Sequence, residues 1–538
     1  MSEFERAVDE FLEAYWQHDP VAASHAGIHK YDRQLPKPNP ETAAEWKESL
    51  EAFAAQFKSF EDHDLTHPER LDRRWALAVI EKLRIDHEER RWAREPRLYL
   101  DDLGTGYHDL LLGEFAELET RLEVLSARLR ATPAFLEAAQ KNIEPENVPP
   151  IWIKSAQSTV ESLTQFLAEG IPEAAERVPN LEEEILDARD SASVAIEEFG
   201  DYLTEISEEA SGDYAVGRDR FDRLLQHYHM LDMDADALHD FGREWIDRYE
   251  QEMTEVAREI DATSDWVTVL ESVKEDHPDA DELRQAYEDE TMLSREHCLE
   301  HDLITFPEGE EVDVEWMPAY MQSWYRIAKP WVTPPFADDL NGKWYITPVD
   351  PDATEEEQKE HLRDNSWAWI RGIAQHEMYP GHHLHMAIHK QVATPLRLQF
   401  RSPVFTEGWG LYTEELFYET GLLDESELRL MQLRNGLWRA VRIVIDTGLH
   451  TRGMAPEEAV NLLVDRARLE RQWAESEVER YTMRPTYPSS YRAGLSQLLD
   501  IREQYREKHG DDFDYKSFHD ELMEYSVLPL SMVEEEML

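Results

Sequence analysis

The sequence predicts a mainly α-helical protein, a large multi-helix body with a small β-sheet beside one chemically loaded segment. Three observations carry this. Apolar residues recur at helical spacing through most of the 538 residues, one short stretch alone has the composition of a strand, and the breaks between helical stretches are short and proline-rich. The 41% apolar content suffices for a buried core and excludes a disordered chain, so that length is the remaining bound, one that allows several domains.

The opening MSEFERAVDEFLEAYWQHDP reads as an amphipathic acidic helix. It lacks the basic start and apolar run of an export signal, and no run of 18 or more apolar residues follows, so neither export nor membrane insertion is expected. Leu122, Leu125 and Leu129 repeat at helical spacing in RLEVLSARLRATPAFLEAAQ. The stretch PEEAVNLLVDRARLERQWAESEVERY (456–481) reads the same way, with Pro456 in its first turn. Breaks are expected at 30–41, 143–152, 168–180, 306–318 and 328–336, none long or Gly/Ser-rich enough for a flexible linker. The strand candidate is GKWYITPV (342–349), just ahead of the loaded segment.

Lys and Arg total 55 against 115 Asp and Glu, a net charge of -60 spread along the chain in runs such as EEEQKEH (355–361). Arginine outnumbers lysine. This predicts a halophilic protein from a salt-rich cytoplasm, because at about 1 M salt the Debye length falls to roughly 3 Å and self-repulsion is screened. The same charge repels nucleic acid and anionic membranes, which are excluded as partners. Cys298 is the single cysteine, so it can form neither an internal disulfide nor a cysteine cluster, which fits a cytoplasmic location.

The loaded segment is HEMYPGHHLH (376–385). It begins like the zinc signature H-E-x-x-H, but Pro380 stands where the second histidine belongs. On an unbroken helix His376 and His382 would diverge by about 120°, and His376 and His383 would align about 10 Å apart, so neither pair could chelate. Pro380 lacks an N–H and clashes with the carbonyl of His376, while Gly381 tolerates unusual backbone angles. The expectation is a two-residue bulge that carries His382 to the place of the missing ligand.

A catalytic zinc usually takes a third protein ligand and keeps one position open. FTEGWGLYTEEL supplies it at Glu407, with Gly408 and Gly410 permitting close helix approach. Glu414, a heptad later, suits a hydrogen bond to the outer nitrogen of a zinc histidine. Glu377, directly after His376, is placed as the general base that takes a proton from the attacking water. His383, His385 and His389 read as packing residues, and His227 and His229 as structural ones.

Together HEMYPGHH, EGWGLYTEE, DTGLHTRGM (446–454) and EVERYTMRPTYPSSYRAG (477–494) resemble the family catalogued as domain of unknown function 885, DUF885, which is similar to the gluzincin metallopeptidases. The likeness extends from DPVAASHAGIHKYD (19–32) to FHDELMEYSVLPL (518–530). It implies a mostly helical gluzincin-like body, with one zinc ion on His376, His382 and Glu407 and a base at Glu377. It further implies a helical portion over 1–335 that forms part of the cleft and a metallopeptidase-like portion over 336–538, integrated as one domain. One departure is PTYPSSY, where family members carry a P-G-Q-A-like turn before the late tyrosine.

Hydrolysis also needs donors for an oxyanion. Tyr491 leads His450 and Tyr481 as candidates, and Arg480 or Arg502 could hold a substrate carboxylate. Trp344 and Tyr345 are expected to contact substrate from the strand, which would add a peptide along its edge. The expected activity is zinc-dependent hydrolysis of short peptides, as a carboxypeptidase or oligopeptidase. The alternatives are a helical binding protein with a structural metal site, and a metal-dependent amidase or esterase.

Overall fold

The structure is a computed structural model that describes residues 1–322 and 325–538. It is mainly helical, with one three-stranded sheet among the described residues. Two compact units form. The first comprises Met1–Tyr214 with return segments at 319–322 and 333–338, and the second Ala215–Pro318, Tyr325–Val332 and Asp339–Leu538. Residues 215–318, assigned by the sequence reading to the amino-terminal portion, thus pack with the carboxy-terminal residues.

In the first unit the opening helix Glu3–His18 starts in a capping box, in which Ser2 and Glu5 satisfy each other's backbone N–H groups. Three long helices, Leu118–Asn142, Pro150–Glu176 and Glu182–Ile206, pack side by side through their apolar faces. The break expected from residue 168 begins only after Glu176. Pro172 stands inside the helix, where burial of Phe166, Leu167, Ile171 and Ala175 outweighs the backbone bond it removes.

The second unit carries the site and the sheet. The sheet has order β1-β3-β2, with β1 Val312–Trp316 parallel to β3 Gly342–Ile346 and β2 Ala328–Val332 antiparallel to it. Pairing sets Val312 and Val332 opposite Gly342, and Trp316 and Ala328 opposite Ile346. β3 falls where the sequence predicts a strand, whereas β1 and β2 lie in stretches expected to be connections. VDVEW alternates as a strand should, and β2 tolerates Pro330 because it is an edge strand. The expectation that β3 offers a free edge is corrected: β3 is the central strand, paired on both sides.

Helix α1, Trp367–Glu377, is capped by Ser366, whose hydroxyl accepts from the Trp369 N–H at 3.3 Å. Helix α2 is His382–Val392 and α3 Pro403–Glu419. Helix α4, Ser426–Thr451, is buried at every residue from Leu430 to His450 and forms the axis of the unit, packed along Ala235–Ile260. The stretch 456–481 is two helices rather than one, Pro456–Asp465 and α5 Arg471–Met483. They part where Arg468 takes a left-handed φ of 55°. Helix α6, Tyr487–His509, packs on α3 and α4. No helix of the described residues is long and apolar enough to cross a membrane.

Candidate metal centre

The Pro-Gly detour is a full break rather than a bulge. Helix α1 ends at Glu377, the Tyr379–Pro380 peptide is cis, and α2 restarts at His382. Gly381, at φ -65° and ψ -142°, lies off the regular helical and extended regions and also permits a close approach. A Cβ there would collide with the carbonyl oxygens of His376 and Gln375. From α3 the Trp409 indole N–H donates to the Pro380 carbonyl at 2.8 Å and fixes the turn.

This arrangement brings His376, the penultimate residue of one helix, against His382, the first of the next. Their rings stand 4.9 Å apart at 90°. Glu407 joins them from α3, and one ligand atom from each of the three lies within 4.8 Å of the others. His382 Nε2 and Glu407 Oε2 are 3.6 Å apart. Donors held about 2 Å from one tetrahedral ion are separated by little over 3 Å, so the cluster fits zinc after small side-chain shifts.

Two of the three side chains are oriented from behind. Glu414 Oε1 lies 2.9 Å from His376 Nδ1, which leaves Nε2 for an ion. The Tyr487 hydroxyl donates to Glu407 Oε1, so that Oε2 faces His382. Burial works against a charged ring at His382, but the Glu407 carboxylate outweighs it and raises the pKa. Burial likewise opposes ionisation of Glu407, yet His382 and Tyr487 hold it at about 2. The carboxylate is therefore ionised and ready for a cation. Gly410 lets α3 approach α1, since a Cβ there would stand 2.7 Å from His376 Nε2. Gly408 does the same for α6, where it meets Gly494.

The three residues open into a cavity of about 410 Å³. Glu377 lines it at the end of α1, half-buried, and no described residue hydrogen-bonds its carboxylate. Tyr491 lines it from α6, and burial followed by the charge of Glu407 pushes its phenol pKa up, so it remains a donor. Trp344 lines it from β3, as do Ala328, Lys329 and Pro330 from β2. Arg480 contributes from α5.

Several expected residues lie elsewhere. Tyr345 points off the cavity, as alternation along β3 requires once Trp344 faces it. The Tyr481 hydroxyl accepts from Arg442 Nε at 2.6 Å and donates to Glu477 at 2.5 Å, which braces the cavity wall from behind. His450 is no oxyanion donor: its Nε2–H donates to the Tyr481 carbonyl at 2.9 Å and its Nδ1 accepts from the Val216 N–H at 3.3 Å. Arg502 is engaged by both oxygens of Glu419 at 2.7 Å and lies off the cavity. His383, His385 and His389 are buried packing residues, bonded to Glu310, Ser526 and the Arg397 carbonyl. His229 bonds Thr486 at 2.8 Å, as a structural histidine.

Sequence reasoning missed Tyr487, Arg439 and Arg442. Tyr487 stands one helical turn before Tyr491, a spacing that places both on one face. The arginines, three apart on α4, were marked by their position within an otherwise apolar run.

Fold and site together define a mainly helical protein that gathers two histidines and a glutamate at the wall of one cavity. The chain belongs to the family described as bacterial protein of unknown function (DUF885), whose pattern matches residues 20–537. A lipoprotein candidate of unknown function from Shewanella oneidensis has the same fold, with a TM-score of 0.81, 22% identity and full coverage of both chains. A second lipoprotein candidate, from Colwellia psychrerythraea, aligns over 100% of this chain and 99% of its own at 17% identity and a TM-score of 0.81. No curated protein matches the sequence significantly.

Proposed function

We propose that the protein is a zinc-dependent peptidase of gluzincin-like organisation that hydrolyses short peptides. The observation that supports it most is the unpartnered Glu377 carboxylate, set in one cavity with His376, His382 and Glu407. A purely structural metal site has no need of a free base beside it.

His376 Nε2, His382 and Glu407 would hold the ion, with Glu414 and Tyr487 fixing the tautomer and the carboxylate geometry. When bound, zinc supplies Lewis acidity to the scissile carbonyl and lowers the pKa of the attacking water. Glu377 accepts the proton of that water and returns it to the leaving amine as the C–N bond breaks. Tyr491 donates its O–H to the oxyanion as it develops. The cavity volume suits a few residues of an extended peptide. Because β3 is paired on both sides, the strand beside which such a peptide would align is β2. The same reading has the protein work in a salt-rich cytoplasm, where its charge of -60 is screened.

The test is zinc analysis of protein purified at molar salt, joined to mass spectrometry of the products from a mixed peptide set. Glu377→Gln should keep its zinc and lose hydrolysis by about 10²-fold or more. Activity unchanged in that variant, or zinc-loaded protein inert on every peptide, defeats the reading.

A further inference from the structure

Arg439 lines the cavity from α4, yet it is 4% exposed and has no carboxylate partner among the described residues. Its one hydrogen bond is a long contact from Nη1 to the Asn435 carbonyl, at 3.4 Å, and its Nε has no partner. A guanidinium is buried almost always in company with an anion.

The neighbours deepen the imbalance. Arg442 and Arg480 line the same wall and both bond Glu477, at 2.7 Å. Two guanidinium groups therefore share one carboxylate and the third, Arg439, has none, in a chain whose net charge is -60. The acid that acts most strongly on Arg439 is Glu414, whose Oε1 is engaged by His376 Nδ1. The cluster is held in place by aromatic faces: the Arg439 guanidinium carbon is 4.5 Å from the Trp438 ring centre, and that of Arg442 is 4.6 Å from Tyr491. Tyr491 in turn stands 6.0 Å from Tyr487, which holds the ligand Glu407, so the positive wall adjoins the metal centre.

We propose that Arg439, supported by Arg442 and Arg480, receives the free α-carboxylate of the substrate, which makes the enzyme a peptidase of the carboxyl terminus. This rests on the peptidase reading above and adds the end from which the substrate is attacked. Arginine is the side chain suited to the task, because its planar fork meets both carboxylate oxygens. In the reaction water adds to the carbonyl of a peptide bond near that end, the C–N bond breaks, and the carboxy-terminal piece leaves as an amine that takes the proton from Glu377. The amino-terminal piece departs with a new carboxylate.

The experiment measures calorimetric binding, at fixed high salt, to zinc-loaded full-length Glu377→Gln protein, which does not turn the ligand over. The probes are an N-acetylated neutral tripeptide as free acid, its carboxy-terminal amide, and an amide that carries one glutamate side chain. The free acid should bind at least tenfold tighter than either amide. Adding Arg439→Gln should abolish that preference with zinc content unchanged, and Arg439→Lys should restore part of it. Equal binding of acid and amide, or a preference that survives in Arg439→Gln, overturns the proposal. Tighter binding of the glutamate amide also overturns it, in favour of an acidic side chain as occupant. If the wild-type protein cleaves no peptide while acids still bind through Arg439, the peptidase reading falls and the carboxylate subsite stands. If it cleaves acids and amides at one rate, the subsite falls and the peptidase reading stands.

Discussion

Nδ1 of His376 lies 2.9 Å from Glu414 Oε1, with both side chains buried. The carboxylate accepts the Nδ1–H, which fixes the ring and turns Nε2 toward His382 and Glu407. Glu414→Gln keeps the size of the side chain and removes the charge that strengthens this bond. Zinc affinity should fall by about 10- to 100-fold, read by competition with a chromogenic chelator. Unchanged affinity would mean that the ring is held by packing alone.

Gly410 sits against the face of the same ring. An alanine methyl there would stand 2.6 Å from Cε1 and 2.7 Å from Nε2, inside contact distance. The imidazole cannot retreat without breaking its bond to Glu414. Gly410→Ala should therefore displace a ligand and strain the α1–α3 contact, for a loss of about 1–3 kcal/mol in denaturant unfolding and most of the bound zinc. A variant with full zinc content and unchanged stability would show that α3 can shift instead.

The approach of His376, His382 and Glu407 was legible because these residues sit in short motifs whose spacing has chemical meaning. What the sequence could not decide was how Pro380 and Gly381 act, by bulge or by break. That choice depends on Trp409, 29 residues on, whose indole N–H holds the Pro380 carbonyl. The misplaced residues follow the same pattern. His450 resembles a catalytic histidine until Val216, 234 residues away, fills its Nδ1. Arg502 and Arg439 look alike in the chain, and only packing gives one of them Glu419 and leaves the other without an acid. Helices were read well, since their periodicity is local, whereas β1 and β2 pair only through a strand that follows both and so passed for loops.

Asp446, on the buried helix α4, is pushed up to about 7 by burial, against the hydrogen bonds it accepts from Ser489 and the Thr486 N–H. In the unfolded chain its value is about 3.9. The folded state thus holds a proton that the unfolded state has already released, so the contribution of Asp446 is full below about pH 4 and is lost as pH rises through about 7. Asp446→Asn can still accept from Thr486 and donate to Ser489 while it carries no charge. Relative to wild type the variant should gain a few kcal/mol between pH 4 and pH 7.5, at about 1.4 kcal/mol for each pH unit that separates the folded and unfolded values. A wild-type-minus-variant difference that does not change with pH would sink this assignment.

The surplus of 60 negative charges has to be tolerated by a fold that also buries a positive cluster. At about 0.01 M salt the Debye length is near 30 Å, long enough for acidic runs on separate helices to repel one another. Partly buried pairs such as Arg371–Glu290, at 2.8 Å, are screened less and change less. Dialysis from molar potassium chloride into dilute buffer should therefore lower Tm steeply and reduce the helical circular dichroism. Sucrose at equal osmolality separates two causes, because it is excluded from protein surfaces but screens no charge. Recovery with potassium chloride and not with sucrose is the expected result. A helical signal and Tm that survive dialysis intact would show that the acidic surface is not an adaptation to salt.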